Sequence, residues 1–146
     1  MFINYSFLHS IKKGILMAYY DKGANAEREL LYLFAERGFS VVRSAGSGKI
    51  DLPTPDIVAM SPKNKYAIEC KAQAGAYLNI KNEQMFELIK WAKNARINLC
   101  IAWKITSKGW RFLKLGQFKQ NKKGFLISKD DALENGLSLE DFIRQN

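Results

Sequence analysis

Two short runs, 56–60 (Asp-Ile-Val-Ala-Met) and 65–71 (Lys-Tyr-Ala-Ile-Glu-Cys-Lys), flank the turn Ser61-Pro62-Lys63-Asn64. Together they constrain the fold more than any other stretch of the chain. They predict a β-hairpin with a four-residue loop in which Met60 pairs with Lys65. Counting back along that register sets Asp56 opposite Glu69. Directly opposed residues place their Cβ atoms roughly 4.5–5.5 Å apart on one face of a sheet. Side chains alternate along a strand, so Lys71 shares the face of Glu69, while Tyr66, Ile68 and Cys70 take the other. A slip of one residue would carry Asp56 to the wrong face, so the reading depends on this pairing.

Two carboxylates held that close destabilise a hairpin unless a cation lies between them. With a strand carbonyl they form a hard oxygen site suited to Mg²⁺, which keeps several waters and takes few protein ligands. Such an ion polarises a phosphodiester and acidifies a bound water, and Lys71 is placed to orient that water or to offset developing charge. The plainer alternative is a surface salt bridge between Glu69 and Lys71.

A helical pattern begins at Ala24, with Leu30, Leu31 and Phe34 at helical spacing and Gly38 as the C-terminal stop. Glu27 falls on the inward stripe one turn before the apolar core. Burying an unpaired charge is unfavourable by several kcal/mol, roughly the penalty per ion in real proteins. Glu27 therefore either serves chemistry or complements the positive end of the helix dipole. A Val-rich strand over 39–43 runs into the small-residue turn Ser44-Ala45-Gly46-Ser47-Gly48-Lys49. Flanked by Arg43 and Lys49, it can offer N–H groups, hydroxyls and cations to phosphate. Its glycine spacing does not match a P-loop.

Charge supports a polyanionic partner. The 146 residues carry 23 Lys and Arg against 14 acidic residues, a formal +9, and nucleic acid is the commonest polyanion for a compact cytosolic domain. Cys70 and Cys100 form no CxxC pair, which excludes a zinc ribbon or dithiol motif. Both read as small buried hydrophobes. The one histidine, His9, excludes a multi-His metal site and a Ser-His triad. Residues 1–16 are too polar to span a membrane and lack signal-peptide features. They are expected to be an extension, either ahead of a natural start at Met17 or held loosely as an arm, with 17–146 as a single domain.

Pro55-Asp56, twelve residues, then Glu69-Cys70-Lys71 resembles the PD-(D/E)xK signature of restriction-endonuclease-like nucleases. Further runs occur in order: Gly23-Ala24-Asn25-Ala26-Glu27-Arg28-Glu29, Gly38-Phe39-Ser40-Val41-Val42-Arg43-Ser44-Ala45-Gly46-Ser47, Pro55-Asp56-Ile57-Val58-Ala59, Asn82-Glu83-Gln84 and Gly109-Trp110-Arg111-Phe112. From about Lys22 onward the chain resembles the archaeal Holliday junction resolvase family. That resemblance implies an α/β, restriction-endonuclease-like fold with a central mixed five-stranded sheet flanked by helices. It implies a catalytic set of Glu27, Asp56, Glu69 and Lys71, with Ser47 approaching the scissile phosphate. Asp56, Glu69 and the Cys70 backbone carbonyl would hold Mg²⁺, with Mn²⁺ expected to substitute, and Glu27 would act through water or a second metal. Arg28, Arg43, Ser47 and Lys49 would contact DNA. Asp51 also follows the Gly-Ser loop, but Asp56 is the better metal ligand because it directly follows Pro55 and opens the strand paired with that of Glu69.

Beyond Lys71 the pattern reads loop, helix over 82–93, strand over 98–105, tight turn, strand over 109–115, and a last short helix capped by Ser138 and Asp141. Trp91, Trp103, Trp110 and Phe112 are expected in the core or at a dimer surface, the contact lying around Trp103, Trp110 and part of the 82–93 helix. Three functions fit: a cytoplasmic homodimer that nicks four-way junctions in pairs during DNA recombination and repair, a nuclease of the same fold acting on other branched or damaged DNA, and a non-catalytic DNA-binding module. The acidic set argues against the third, since a binder gains nothing from carboxylates beside phosphates. No membrane association and no small-molecule cofactor are expected.

Overall fold

The computed structural model describes residues 22–44 and 51–145. Helix α1 (Lys22–Ala35) buries Ala26, Leu30 and Phe34, the stripe that its apolar spacing dictates, and leaves Leu31 half-buried. The chain leaves α1 through Gly38, whose φ of +83° lies in the left-handed region that a side chain would resist. Strands β1 (Ser40–Arg43), β2 (Ile57–Met60) and β3 (Lys65–Lys71) follow. Then come β4 (Tyr77–Ile80), α2 (Asn82–Ala95), β5 (Asn98–Ile105) and β6 (Gly109–Leu113). A 3₁₀ turn precedes β7 (Lys119–Asn121) and β8 (Gly124–Ser128), and helices α3 (Lys129–Asn135) and α4 (Leu139–Arg144) end the fold. Ser138 caps α4 by accepting from Asp141 N at 3.2 Å.

The central sheet has the order β1-β2-β3-β5-β6. Its β3–β5 pair is parallel and the other pairs are antiparallel, so the sheet is mixed, flanked by helices as expected. The β2–β3 register is Met60 with Lys65 and Ile57 with Ile68, as the hairpin reading requires. A parallel pair needs a crossover, and here it carries β4 and α2.

Apolar residues pack on both sides of this sheet. Tyr66, Ile68, Cys100, Ala102 and Phe112 gather with Ala26, Leu30 and Phe34 of α1 and Phe142 of α4. The rings of Phe34 and Phe39 meet edge to face at 5.2 Å, and those of Phe112 and Phe142 stack at 4.7 Å. Ile101, Trp103 and Leu113 gather instead with Met85 and Leu88 of α2 and with Leu78, Ile80, Phe125 and Ile127.

Two expectations need correction. The stretch after Lys71 is no simple loop: it carries β4, which with β8 and β7 forms a second, three-stranded sheet. Trp103 (1% exposed) and Trp110 (7%) are buried within the monomer, so neither can form the face of a dimer. The indole N–H of Trp103 donates to Gln73 O and that of Trp110 to Glu29 Oε1, both at 3.0 Å, which satisfies them where they lie. Cys100 is buried, as expected, but Cys70 is only half-buried. Burial raises both thiols, Cys100 to about 12, which leaves them protonated and inert. Among the described residues no helix is long and apolar enough to cross a membrane.

Candidate metal centre

Pairing continues one step past the ends of β1 and β2. Ser44 N donates to Asp56 O at 2.9 Å, and Ser44 Oγ donates to Pro55 O at 2.6 Å. These bonds fix the backbone at Pro55-Asp56, and the Asp56 carboxylate turns toward the neighbouring strand. There its Oδ2 accepts from Cys70 N at 2.7 Å.

Glu69 lies on the face of β3 covered by α2. Among the described residues it is the one buried charged group, 5% exposed. Burial of a carboxylate demands compensation, and two donors supply it at a single oxygen. Lys71 Nζ donates to Glu69 Oε1 at 3.0 Å, and Gln84 Nε2 donates to the same atom at 2.8 Å. Gln84 belongs to the first turn of α2. The helix thus contributes directly to a site otherwise built from strands, a part that sequence reasoning assigned no role.

The electrostatics match the geometry. The Asp56 carboxyl is pushed up to about 6, first by burial and then by the charge and proximity of Glu69, against the opposing pull of the Cys70 N–H and the Lys71 ammonium. A cavity of about 240 Å³ opens over the pair, lined by Thr54, Asp56, Glu69, Gln84 and Glu87 among others. A larger cavity of about 440 Å³ lies beside the start of α1 and the β5–β6 turn. Its carboxylate, Glu29, is already engaged by Lys104 and Trp110, so the acid pair in the smaller cavity is the better candidate for chemistry.

Glu27 approaches from α1, on the other side of the sheet, and pairs with Arg43, whose Nε and Nη2 both lie 2.8 Å from its Oε2. Its charge, with those of Asp56 and Glu69, bears on the Cys70 thiol, so the three acids surround the end of β3. Arg43, expected on DNA, is thus engaged by a carboxylate. Arg28 Nη1 donates to Asn25 Oδ1 at 3.3 Å. Asp51 is exposed and takes no part in lining the acid cavity. Ser47 and Lys49 lie outside the described residues.

Among the described residues no three His, Cys, Asp or Glu side chains form a ready metal-binding group. Asp56 and Glu69 form a pair, which fits Mg²⁺: that ion is commonly bound through one or two carboxylates and retains waters. Burial, and then the charge of Glu69, raise the proton affinity of Asp56, and a divalent cation would offset both.

Residues 18–146 match the family model described as archaeal Holliday junction resolvase (Hjc). The chain is 32% identical over 109 residues to the crossover junction endodeoxyribonuclease Hjc of Archaeoglobus fulgidus, covering 75% of this chain and 80% of the relative. It is 30% identical over 126 residues to that of Sulfurisphaera tokodaii, covering 85% and 87%. The 1.6 Å structure of Archaeoglobus fulgidus Hjc, a Holliday junction resolvase, superposes with a TM-score of 0.76 at 28% identity. That match covers 82% of this chain and 98% of the other.

Proposed function

This chain belongs to the archaeal Holliday junction resolvase family, and from that premise we propose a crossover junction endodeoxyribonuclease that hydrolyses phosphodiesters of four-way DNA junctions with Mg²⁺. Relatives at 30% and 32% identity are named crossover junction endodeoxyribonucleases. The observation that carries the metal-dependent reading is the buried Glu69 beside Asp56, with Lys71 bonded to the same carboxylate.

Asp56 and Glu69 would hold the cation, with the Cys70 backbone carbonyl as a third protein ligand and Mn²⁺ able to substitute. When bound, Mg²⁺ supplies Lewis-acid polarisation of the phosphate and a more acidic water. The protein's own groups do the rest. Lys71 and Gln84 hold Glu69 Oε1, and the carboxylate so held would be available to the cation. Lys71 also places positive charge where the phosphorane-like transition state gains negative charge. Glu27, held by Arg43, stands as a third acid from the opposite layer, acting through water. Two such subunits, each cutting one strand, make the working unit a homodimer.

The test is a cleavage assay comparing a mobile four-way junction with linear duplex, a flap and single strands, in Mg²⁺ and in chelator. Paired nicks confined to the junction and lost in chelator support the proposal. Equal cutting of flaps or duplex would leave a general branched-DNA nuclease.

A further inference from the structure

The hairpin formed by β7 and β8 carries three lysines, Lys119, Lys122 and Lys123, all exposed. From Lys114 to Ser128 the chain holds four lysines and no acidic residue. None of the three hairpin lysines forms an ion pair with another described residue. Lysine on an edge strand blocks pairing with another chain, and Lys119 on β7 does so whatever else it contacts. Lys122 and Lys123 do not, because the last paired residues are Asn121 and Gly124 and both lysines lie in the turn beyond the ladder.

That turn is firmly built. Asn121 Oδ1 accepts from Lys123 N at 2.8 Å and from Gly124 N at 3.1 Å. Gly124 has φ +147°, and a Cβ there would fall 2.3 Å from Ile80 O, so the hairpin presses against the end of β4. Beside it, Asn82 Nδ2 donates to Asn121 O at 3.1 Å, and Gln120 Nε2 donates to Asn82 Oδ1 at 3.3 Å. Asn82 and Gln84 are two positions apart on α2, about 3 Å along the helix axis, and Gln84 bonds Glu69. Two positions also turn the helix by about 200°, so the two side chains leave opposite flanks and the basic tip stands across α2, a helix about 10–12 Å in diameter, from the acid pair.

We propose that the β7–β8 hairpin grips the DNA backbone beside the cut, with Lys119, Lys122 and Lys123 on phosphates flanking the scissile one. Each strand of duplex DNA carries one negative charge per roughly 3.4 Å of axis, so a strand seated at Glu69 has phosphates a few nucleotides away at the distance of this tip. Such contacts fix register and add affinity without reading sequence. They also offset the repulsion that Asp56, Glu69 and Glu87 exert on the approaching strand. The proposal rests on the nuclease reading above.

The test compares the parent with a Lys119→Gln/Lys122→Gln/Lys123→Gln variant and with a Lys63→Gln/Lys65→Gln control. The control removes exposed lysines at the other end of β3 from Lys71. Junction affinity is measured against salt in chelator, and cleavage in Mg²⁺. The hairpin variant should lose at least tenfold in affinity at low salt. Its log–log salt slope should flatten by about 2 to 3, at ~0.9 for each phosphate that the hairpin no longer neutralises. KM should rise while kcat holds. A hairpin variant with the parent's slope and affinity overturns the proposal, as does a control that weakens binding per charge as much as the hairpin does. A parent that neither binds nor cuts junctions would instead overturn the nuclease reading itself.

Discussion

Gln84 Nε2 and Lys71 Nζ converge on Glu69 Oε1, at 2.8 and 3.0 Å, so a helix and a strand clamp the same carboxylate oxygen. A carboxylate held this way enters metal binding with its rotamer already chosen. Groups that orient a metal's ligands change affinity by about 10–100-fold when removed. Gln84→Ala should therefore weaken Mg²⁺ binding by about tenfold or more, read by calorimetric titration and by the Mg²⁺ dependence of cleavage. Junction affinity in chelator should stay within twofold of the parent. Unchanged Mg²⁺ affinity would reduce Gln84 to a packing residue.

Asp56→Asn and Glu69→Gln should each abolish cleavage while leaving junction binding intact or slightly tighter, because each removes a negative charge facing phosphate. Lys71→Ala should also lose most turnover. Gel-shift and nicking assays on one junction separate the two effects. Cleavage that survives either carboxylate change removes that residue from the metal site.

Metal-free stability should depend on the proton of Asp56. Its folded carboxyl is raised to about 6 from the ordinary 3.8, so between those values the native state holds a proton that the unfolded chain has lost. Stability from this group therefore falls as pH rises from about 4 to 6, and the deficit persists above. In chelator, Asp56→Asn should raise Tm at pH 8 and flatten the acid-side pH dependence. Mg²⁺ should raise the parent's Tm at pH 8, with a gain that shrinks below pH 6 as protons compete for the ligand. Identical Tm–pH curves for parent and variant would show that Asp56 does not titrate as described.

The hairpin was legible because its pattern allows one register: Met60 opposite Lys65 is the pairing that buries Ile57, Ala59, Tyr66 and Ile68 together. That same register brought Asp56 to Glu69. Gln84 was not legible as a site residue, because its bond to Glu69 spans 15 positions and depends on where the crossover lays α2. The second sheet escaped for a related reason. In β7 all three residues are exposed, so no alternation marks it, and β8 is stabilised by its pairing with β4 some 45 residues earlier. Trp103 and Trp110 show the limit of aromatic content as a guide to interfaces. Each finds a hydrogen-bond acceptor inside the monomer, which removes the usual reason for an indole to stay at a surface.

Glu27 and Arg43 should behave as a unit. Their side chains are 19% and 29% exposed, enough burial for a pair to matter and too little for it to dominate. Glu27→Gln should lose most cleavage if its charge serves the reaction. Arg43→Ala should lose part of it by releasing Glu27, and the double variant should be no worse than Glu27→Gln. The salt slope of binding in Arg43→Ala should stay near the parent's, since the guanidinium is engaged by Glu27. A slope flatter by about one unit would instead place Arg43 on a phosphate.

A four-way junction yields separable duplexes only when two opposing strands are cut, and each subunit has one Asp56–Glu69 pair in its described residues. Two-fold pairing of identical subunits is the commonest way to duplicate a site, and it matches the approximate symmetry of the substrate. It also gives a basis for selectivity. Two basic surfaces engage together only where DNA arms diverge at the required angle, and the second contact then benefits from effective concentration. Because Trp103 and Trp110 are buried in the monomer, a dimer would have to form through other surfaces. Light scattering at micromolar protein should report a mass near twice the 16.7 kDa chain. Mixing active with Asp56→Asn subunits should give heterodimers that nick one strand and leave the junction unresolved. On a supercoiled cruciform plasmid that outcome is an open circle, whereas active dimers give linear product. A chain that stays monomeric with and without junction DNA, or mixed subunits that still linearise at the undiluted rate, would remove the paired-nick mechanism and leave a nuclease acting on one strand at a time.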